Sequence, residues 1–192
     1  MGTQTIAFPR VAEIQDFFFD AALATYAGNT PKTTITDLPG SKHYHFERDS
    51  LIYDDVYFTN GEYSGGSTLI SFRAEPKPIN LWLMQYHGWC KDDDPKVLAF
   101  LKEALRSAYE NRVFHGGRGP VGFPFGGQIR TITHGDYLMY RNDAGRTLPS
   151  EFHKFSGEEH IYRSHDRLAM DGWKEVFWHR YQGLLLIPYH GM

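Results

Sequence analysis

The sequence contains one cysteine, Cys90, so no disulfide can close within the chain, and a reducing compartment is the corresponding expectation. Basic residues form no block: 20 Lys and Arg stand against 23 Asp and Glu, for a net charge of -3 and a pI near 6.3. Binding driven by phosphate neutralisation is therefore not expected, and direct contact with DNA or RNA is set aside. Long apolar runs are missing as well. No stretch nears the roughly 18 apolar residues of a membrane span, and Met1 to Arg10 lacks a basic region followed by an apolar one. A cytoplasmic protein without a membrane partner is expected. The compact signatures Cys-x-x-Cys, His-Glu-x-x-His and Gly-x-Ser-x-Gly do not occur, so no motif calls for a metal, a cofactor or a serine nucleophile.

Aromatic residues, by contrast, make up 16% of the chain, with 14 Phe, 12 Tyr and 4 Trp, which is too many for a disordered segment. A chain of 192 residues buries about 70% of its unfolded surface on folding, so residues 1–192 are read as one domain with one core. Ile14, Phe17, Phe18, Ala21, Ala22 and Tyr26 recur at helical spacing between Val11 and Ala27, with Gly28 as the expected cap. A second helix is announced by Asp92-Asp93-Asp94-Pro95 ahead of Val97, Leu98, Leu101, Ala104, Leu105 and Ala108. Strands are predicted at His43–Arg48, Leu51–Thr59, Gly66–Phe72 and Leu81–Gly88, with Asn60-Gly61 as a hairpin turn. Further strands are predicted at Gln128–Thr133, Asp136–Arg141, His160–Arg163, Glu175–Tyr181 and Leu184–Tyr189, the last of them central in the sheet. Phe114 to Gly127 holds six Gly and two Pro and reads as a loop over the body. The fold class is α+β: two main helices and an antiparallel sheet, a mixed sheet being the alternative.

The two halves repeat an order of features. Phe17-x-x-Asp20-Ala21 to Tyr26 resembles Phe100-x-x-Glu103-Ala104 to Tyr109, Tyr63-x-Gly65 resembles Phe155-x-Gly157, and Tyr86-x-Gly88 resembles Tyr181-x-Gly183. The offset drifts from 83 residues (Phe17 to Phe100) to 95 (Tyr86 to Tyr181). An internal duplication, with pseudo-repeats at 11–90 and 95–189, is the reading, and the joint between the halves is the natural place for a pocket. Tyr53-Asp54-Asp55-Val56-Tyr57-Phe58, Tyr63-Ser64-Gly65, Trp82 to Gly88, Phe100 to Leu105, Arg118-Gly119-Pro120, Phe155-x-Gly157-x-Glu159-x-Ile161 and Tyr181-x-Gly183 occur in that order. Together they resemble an uncharacterised bacterial domain family found alone or C-terminal to the helix-turn-helix of XRE-type transcriptional regulators. The resemblance implies the fold and a regulatory association. It departs from the family in the first half, where Ser67 stands in the acidic place of aromatic-x-Gly-x-Glu. About ten residues precede the first helix, too few for a DNA-reading module in the segment.

On the strand from Leu51, alternation puts Tyr53, Asp55 and Tyr57 on one face and Ile52, Val56 and Phe58 on the other, with the apolar face expected in the core. The phenol-flanked carboxylate is then either a pocket wall or an ordinary solvated surface. Trp82 and Tyr86 share a face with Met84, as do His179 and Tyr181 with Phe177. Arg118 lies in a Gly-rich segment read as a mobile flap that presents it to an anionic group, with a packed loop as the plainer reading. The literal Gly-x-G-x-x-Gly match at Gly117 to Gly122 lacks the strand and helix of a dinucleotide site. His43-x-His45 puts two imidazoles on one side of a strand, as a metal site would want, but no Cys-x-x-Cys, His-Glu-x-x-His or carboxylate triad accompanies it, and partly exposed His on an edge strand is the plainer reading. The expected function is a ligand-binding, sensor-like module for a small organic molecule, contacted by Tyr53, Tyr57, Trp82, Tyr86, Arg118 and Tyr181. The alternative is a cofactor-independent lyase, isomerase or hydrolase using Asp55, Glu159 and His179, and the third reading is a structural or protein-interaction domain.

Overall fold

The computed structural model describes residues 8–28, 30–121, 130–133, 136–144, 151–166, 168 and 171–187. The expected continuation of the Gly-rich loop over 122–127, a strand start at 128 and a strand end at 188–189 lie outside these residues.

Helix α1 (Val11–Ala24) buries Ile14, Phe17, Phe18, Ala21 and Ala22, as the periodicity requires, and Glu13 accepts from the Arg10 backbone N–H at 2.8 Å. It stops three residues earlier than predicted: Thr25, whose hydroxyl and N–H both donate to the Ala21 carbonyl, leaves the helical backbone region at φ -108° and ψ -101°, and the Ala27 N–H donates to the Ala22 carbonyl. Gly28 instead closes a following turn onto the Thr25 carbonyl. Helix α2 (Pro95–Glu110) starts as signalled: the Asp94 carboxylate accepts from the Lys96 N–H at 2.8 Å and Pro95 occupies the first turn.

The strands are β1 (Lys42–Arg48), β2 (Leu51–Asn60), β3 (Tyr63–Phe72), β4 (Ile79–Cys90), β5 (Arg130–Thr133), β6 (Asp136–Asn142), β7 (Lys154–Ser164) and β8 (Lys174–Leu185). They form one eight-stranded sheet in the order β1-β2-β3-β4-β8-β7-β6-β5, antiparallel at every pairing. The two strands read at Glu175–Tyr181 and Leu184–Tyr189 are a single strand through Gln182-Gly183. It is central, as expected of Leu184–Ile187, pairing with β4 on one side and β7 on the other.

Each half is a helix followed by four strands, and the strand order mirrors itself about the β4–β8 seam. In the seam Tyr86 pairs with Tyr181, Gly88 with His179 and Met84 with Gly183. Bulges follow Ile70 in β3 and Ile161 in β7, so these two isoleucines occupy equivalent places. Measured from these bulges, Tyr63-x-Gly65 and Phe155-x-Gly157 are one residue out of step. Phe155 is buried on the helix side, whereas Tyr63 is 67% exposed on the other face. Gly66 and Thr68 precede the bulge at Ile70 by the same spacing as Gly157 and Glu159 precede the bulge at Ile161.

Both helices pack on one face of the sheet, around a core that includes Phe18, Trp82, Tyr109, Phe155, Ile161 and Phe177. The β2 assignment is reversed relative to expectation. Tyr53 and Asp55, at 3% exposure each, face the helices, while Phe58 is 44% exposed on the open face. Register decides this: Tyr53 pairs with Ile70 and Asp55 with Thr68, both buried, and all four must share a face.

The seam depends on glycine where backbones approach. A Cβ on Gly88 would lie 1.9 Å from the Trp178 carbonyl oxygen and 2.2 Å from the His179 ring. Gly88→Ala is expected to destabilise by about 1–3 kcal/mol through overpacking against main chain that cannot yield. A urea midpoint equal to that of the parent protein would contradict the close approach.

Candidate functional site

Four elements bring polar side chains to the helix side of the seam. From β2 comes Asp55, buried and accepting from the Tyr86 hydroxyl at 2.6 Å and the Thr68 hydroxyl at 3.2 Å. Burial raises its carboxyl pKa to about 6, a rise that the two hydroxyls and the nearby Arg118 charge only partly offset. From β7 comes Glu159, fully buried, accepting from Arg118 Nε at 2.8 Å, from a second guanidinium N–H of Arg118, and from the Tyr140 hydroxyl at 2.7 Å. Burial alone would raise Glu159 too, but the Arg118 charge and the neighbouring His179 outweigh it and bring the carboxyl down to about 2. The two buried acids of the site are thus driven in opposite directions, one by an absent counter-ion and one by a present one.

From β8 comes His179. Its Nε2 is 3.1 Å from the Ser64 hydroxyl of β3, and its Nδ1 faces Glu159 Oε1 at 3.4 Å with no hydrogen-bond partner. Burial lowers its pKa below the ordinary histidine value despite the pull of Glu159, so the ring is neutral at pH 7. Ser64, His179 and Glu159 thus lie in a row in the order nucleophile, base and acid, with the Ser64–His179 pair within hydrogen-bond reach. Cys90 offers no competing nucleophile, since burial pushes its thiol up to about 11.

Arg118 enters from the segment after α2. Residues 114–120 are packed down rather than forming the mobile flap expected from the sequence. Gly116 and Gly117 adopt φ of +70° and +71°, and a Cβ on Gly116 would meet the Tyr181 ring at 2.5 Å. Tyr109 donates to the Gly117 carbonyl, the Gly119 N–H donates to the Tyr140 hydroxyl, and Asn142 donates to the Gly119 carbonyl. The anionic group that Arg118 meets is the protein's own Glu159.

These side chains enclose a hollow of about 50 Å³, with Asp55, Tyr86, Arg118, His179, Ser64 and Thr68 among its walls. Tyr26, Tyr57, Ser64 and His179 also border an outer chamber of about 350 Å³, so the two spaces share a wall. Lys32, Lys42 and Lys102 line the outer chamber, as do the acids Glu62 and Asp93. Lys42 and Lys102 sit over the Tyr57 and Tyr26 rings, at 5.7 and 5.4 Å from the centroids. Burial, reinforced by Lys32 and Arg106, lowers the Lys102 pKa.

Of the residues singled out from sequence, Asp55, Tyr53, Tyr57, Tyr86, Arg118 and His179 line the inner hollow. Glu159 lies behind Arg118 as its counter-ion. Two others fall elsewhere. Trp82 is core, stacked on Phe152 and Phe155, with its indole N–H donated to the Phe152 carbonyl at 3.0 Å. Tyr181 donates to Asn142 at 2.6 Å and supports the Gly-rich segment from below. Sequence reasoning missed Ser64, Thr68, Tyr26 and the three lysines. Alternation from Ile70 back through Thr68 and Gly66 would have reached Ser64, but the Tyr63-x-Gly65 motif drew the register one place away.

The fold and the site define an α+β protein with a polar-tipped cavity beside the central seam of its sheet. No helix of the described residues is long and apolar enough to cross a membrane. Comparison with protein-family models, with curated proteins and with solved structures found no match to the chain.

Proposed function

We propose that the chain is a ligand-binding module for a small organic anion, seated in the outer chamber with a polar substituent reaching the inner hollow. The observation that carries this reading is the ionisable Asp55 held in a buried hollow with no cation paired to it, at a cost to folding that packing alone gives no reason to keep. The inner space of about 50 Å³ holds only a water or two, or one ligand substituent, whereas about 350 Å³ is the size of a small-molecule pocket. The lysines at the outer chamber favour an anion, and the aromatic rings of Tyr26 and Tyr57 supply flat apolar walls.

A ligand that binds only the folded state raises its melting temperature. A screen of small carboxylates and phosphate esters against their neutral analogues is expected to yield anions that raise the melting temperature by about 5–10 °C at 100-fold excess over Kd. Lys102→Ala and Tyr57→Ala should reduce that shift. A screen in which no anion acts, or in which both variants respond as the parent does, would remove the proposal.

The row Ser64–His179–Glu159 favours a second reading, an acyl-transferring hydrolase. In it Ser64 Oγ attacks an ester carbonyl as its proton passes to His179 Nε2, the alcohol leaves with that proton, and water then releases the acid. Turnover of p-nitrophenyl esters that disappears in Ser64→Ala selects this reading over simple binding, and its absence leaves binding alone.

A further inference from the structure

The open face of the sheet carries a second cluster, separated from the cavity by the sheet itself. In β1 the side chains of His43 and His45 alternate with those of Lys42 and Tyr44, so the imidazoles project away from the helices. The β1–β2 register sets Asp54 directly opposite His45 and diagonal to His43. A single oxygen, Asp54 Oδ1, lies 2.8 Å from His43 Nε2 and 2.8 Å from His45 Nδ1. One donor atom from each of the three residues falls within 4.8 Å of the others, the one such group among the described residues. We propose that His43, His45 and Asp54 form a binding site for a late first-row divalent cation, Zn²⁺ foremost.

The donor set decides the class of ion. Two imidazoles and a carboxylate suit Zn²⁺ and its borderline neighbours, whereas Mg²⁺ and Ca²⁺ require oxygen ligands throughout. Metal–ligand bonds of 2.0–2.2 Å in a tetrahedron place ligand atoms about 3.3 Å apart. The present separations of 2.8 Å therefore open by about half an ångström to admit the ion. Side-chain torsions supply that movement without a change of register. The side chains are 18%, 46% and 32% exposed for His43, His45 and Asp54, which leaves a path for the ion and an open fourth position toward solvent. Glu47, whose Oε1 is 3.1 Å from His45 Nε2, orients that ring from behind. The ion ties the edge strand β1 to β2, where among the described residues the outer side of β1 has only the isolated Thr33–His43 bridge. Sequence alone offered His43-x-His45 but not the third ligand, which only the hairpin register supplies.

The test titrates chelator-treated full-length chain with Zn²⁺ by calorimetry, and with Co²⁺ for the visible absorption of a four-coordinate site. One equivalent is expected, together with a Zn²⁺-dependent rise in melting temperature that EDTA reverses. His45→Gln and Asp54→Asn should each weaken binding by tenfold or more. His160→Gln should leave it unchanged, because His160 pairs with Glu175 at 2.6 Å and has no second imidazole. All these residues lie on the open face, and His45, the most exposed of the three ligands, serves if Asp54→Asn disturbs folding. Absence of Zn²⁺ binding, or binding undiminished in His45→Gln, overturns the proposal without touching the reading of the cavity.

Discussion

Arg118→Leu is expected to lower folding stability by about 3–5 kcal/mol, because it strands the fully buried Glu159 carboxylate without its counter-ion. For a chain of this length that loss corresponds to a fall of about 6–20 °C in melting temperature. Arg118 also pulls the Gly-rich segment onto the sheet, so residues 114–121 should become sensitive to proteolysis in the variant. The double replacement Arg118→Leu with Glu159→Leu should recover much of the loss, since a buried ion pair replaced as a unit is far less costly than one broken in half. Denaturant titration of the two single variants and the double variant measures this directly. A single-variant loss below about 1 kcal/mol is the range of exposed pairs, and would mean that this pair does not hold the seam and loop together.

The second large effect has the opposite sign. Asp55 has a folded-state pKa of about 6 against an ordinary carboxylate value of 3.8, so the folded state holds this proton more tightly than the unfolded state does. Below about pH 4 both states are protonated and the site costs nothing. Stability is then lost as pH rises through about 6, and the full penalty, about 3 kcal/mol, persists above that. Asp55→Asn should therefore match the parent protein near pH 4 and exceed its stability at pH 7 to 8 by up to about 3 kcal/mol, while binding of the anionic ligand class falls. Equal stabilities at pH 4 and pH 8 would show that the buried carboxylate carries no such cost. Glu159 behaves in reverse. Its pKa of about 2 supplies stability that is complete above about pH 4.5 and fades as pH drops through 2. A pH scan of the two variants Asp55→Asn and Glu159→Gln separates the two carboxylates.

The helices were legible because their signals are local. Asp94 and Pro95 announce α2 within two residues, and the apolar period of α1 needs only its own turns. Strand positions were legible from Gly, Asn and Pro punctuation, although the turn expected at Asn60-Gly61 falls one residue later, at Gly61-Glu62, with Asn60 paired to Tyr63 at the end of β2. The face of β2 was not, because both of its faces carry large side chains and an apolar face toward the core is only the usual outcome. Here the sheet is covered on one side by helices, and the polar-tipped cavity takes Tyr53 and Asp55 inward while Val56 and Phe58 face the open side. Trp82 and Tyr181 were read as ligand contacts from the company they keep along their strands. Their partners, the Phe152 carbonyl and Asn142, come from distant segments.

Composition, local periodicity and turn chemistry determined an aromatic-cored α+β chain with two helices and mainly antiparallel strands, because each of those depends on neighbours a few residues apart. Register across the sheet decided the rest. The pairing of β4 with β8 joins strands 95 residues apart at Tyr86 and Tyr181, and together with the β3–β4 and β7–β8 pairings it brings Ser64, His179 and Glu159 into line. A shift of one residue in any of these pairings turns every side chain of a strand to the opposite face, so no local pattern fixes which groups meet.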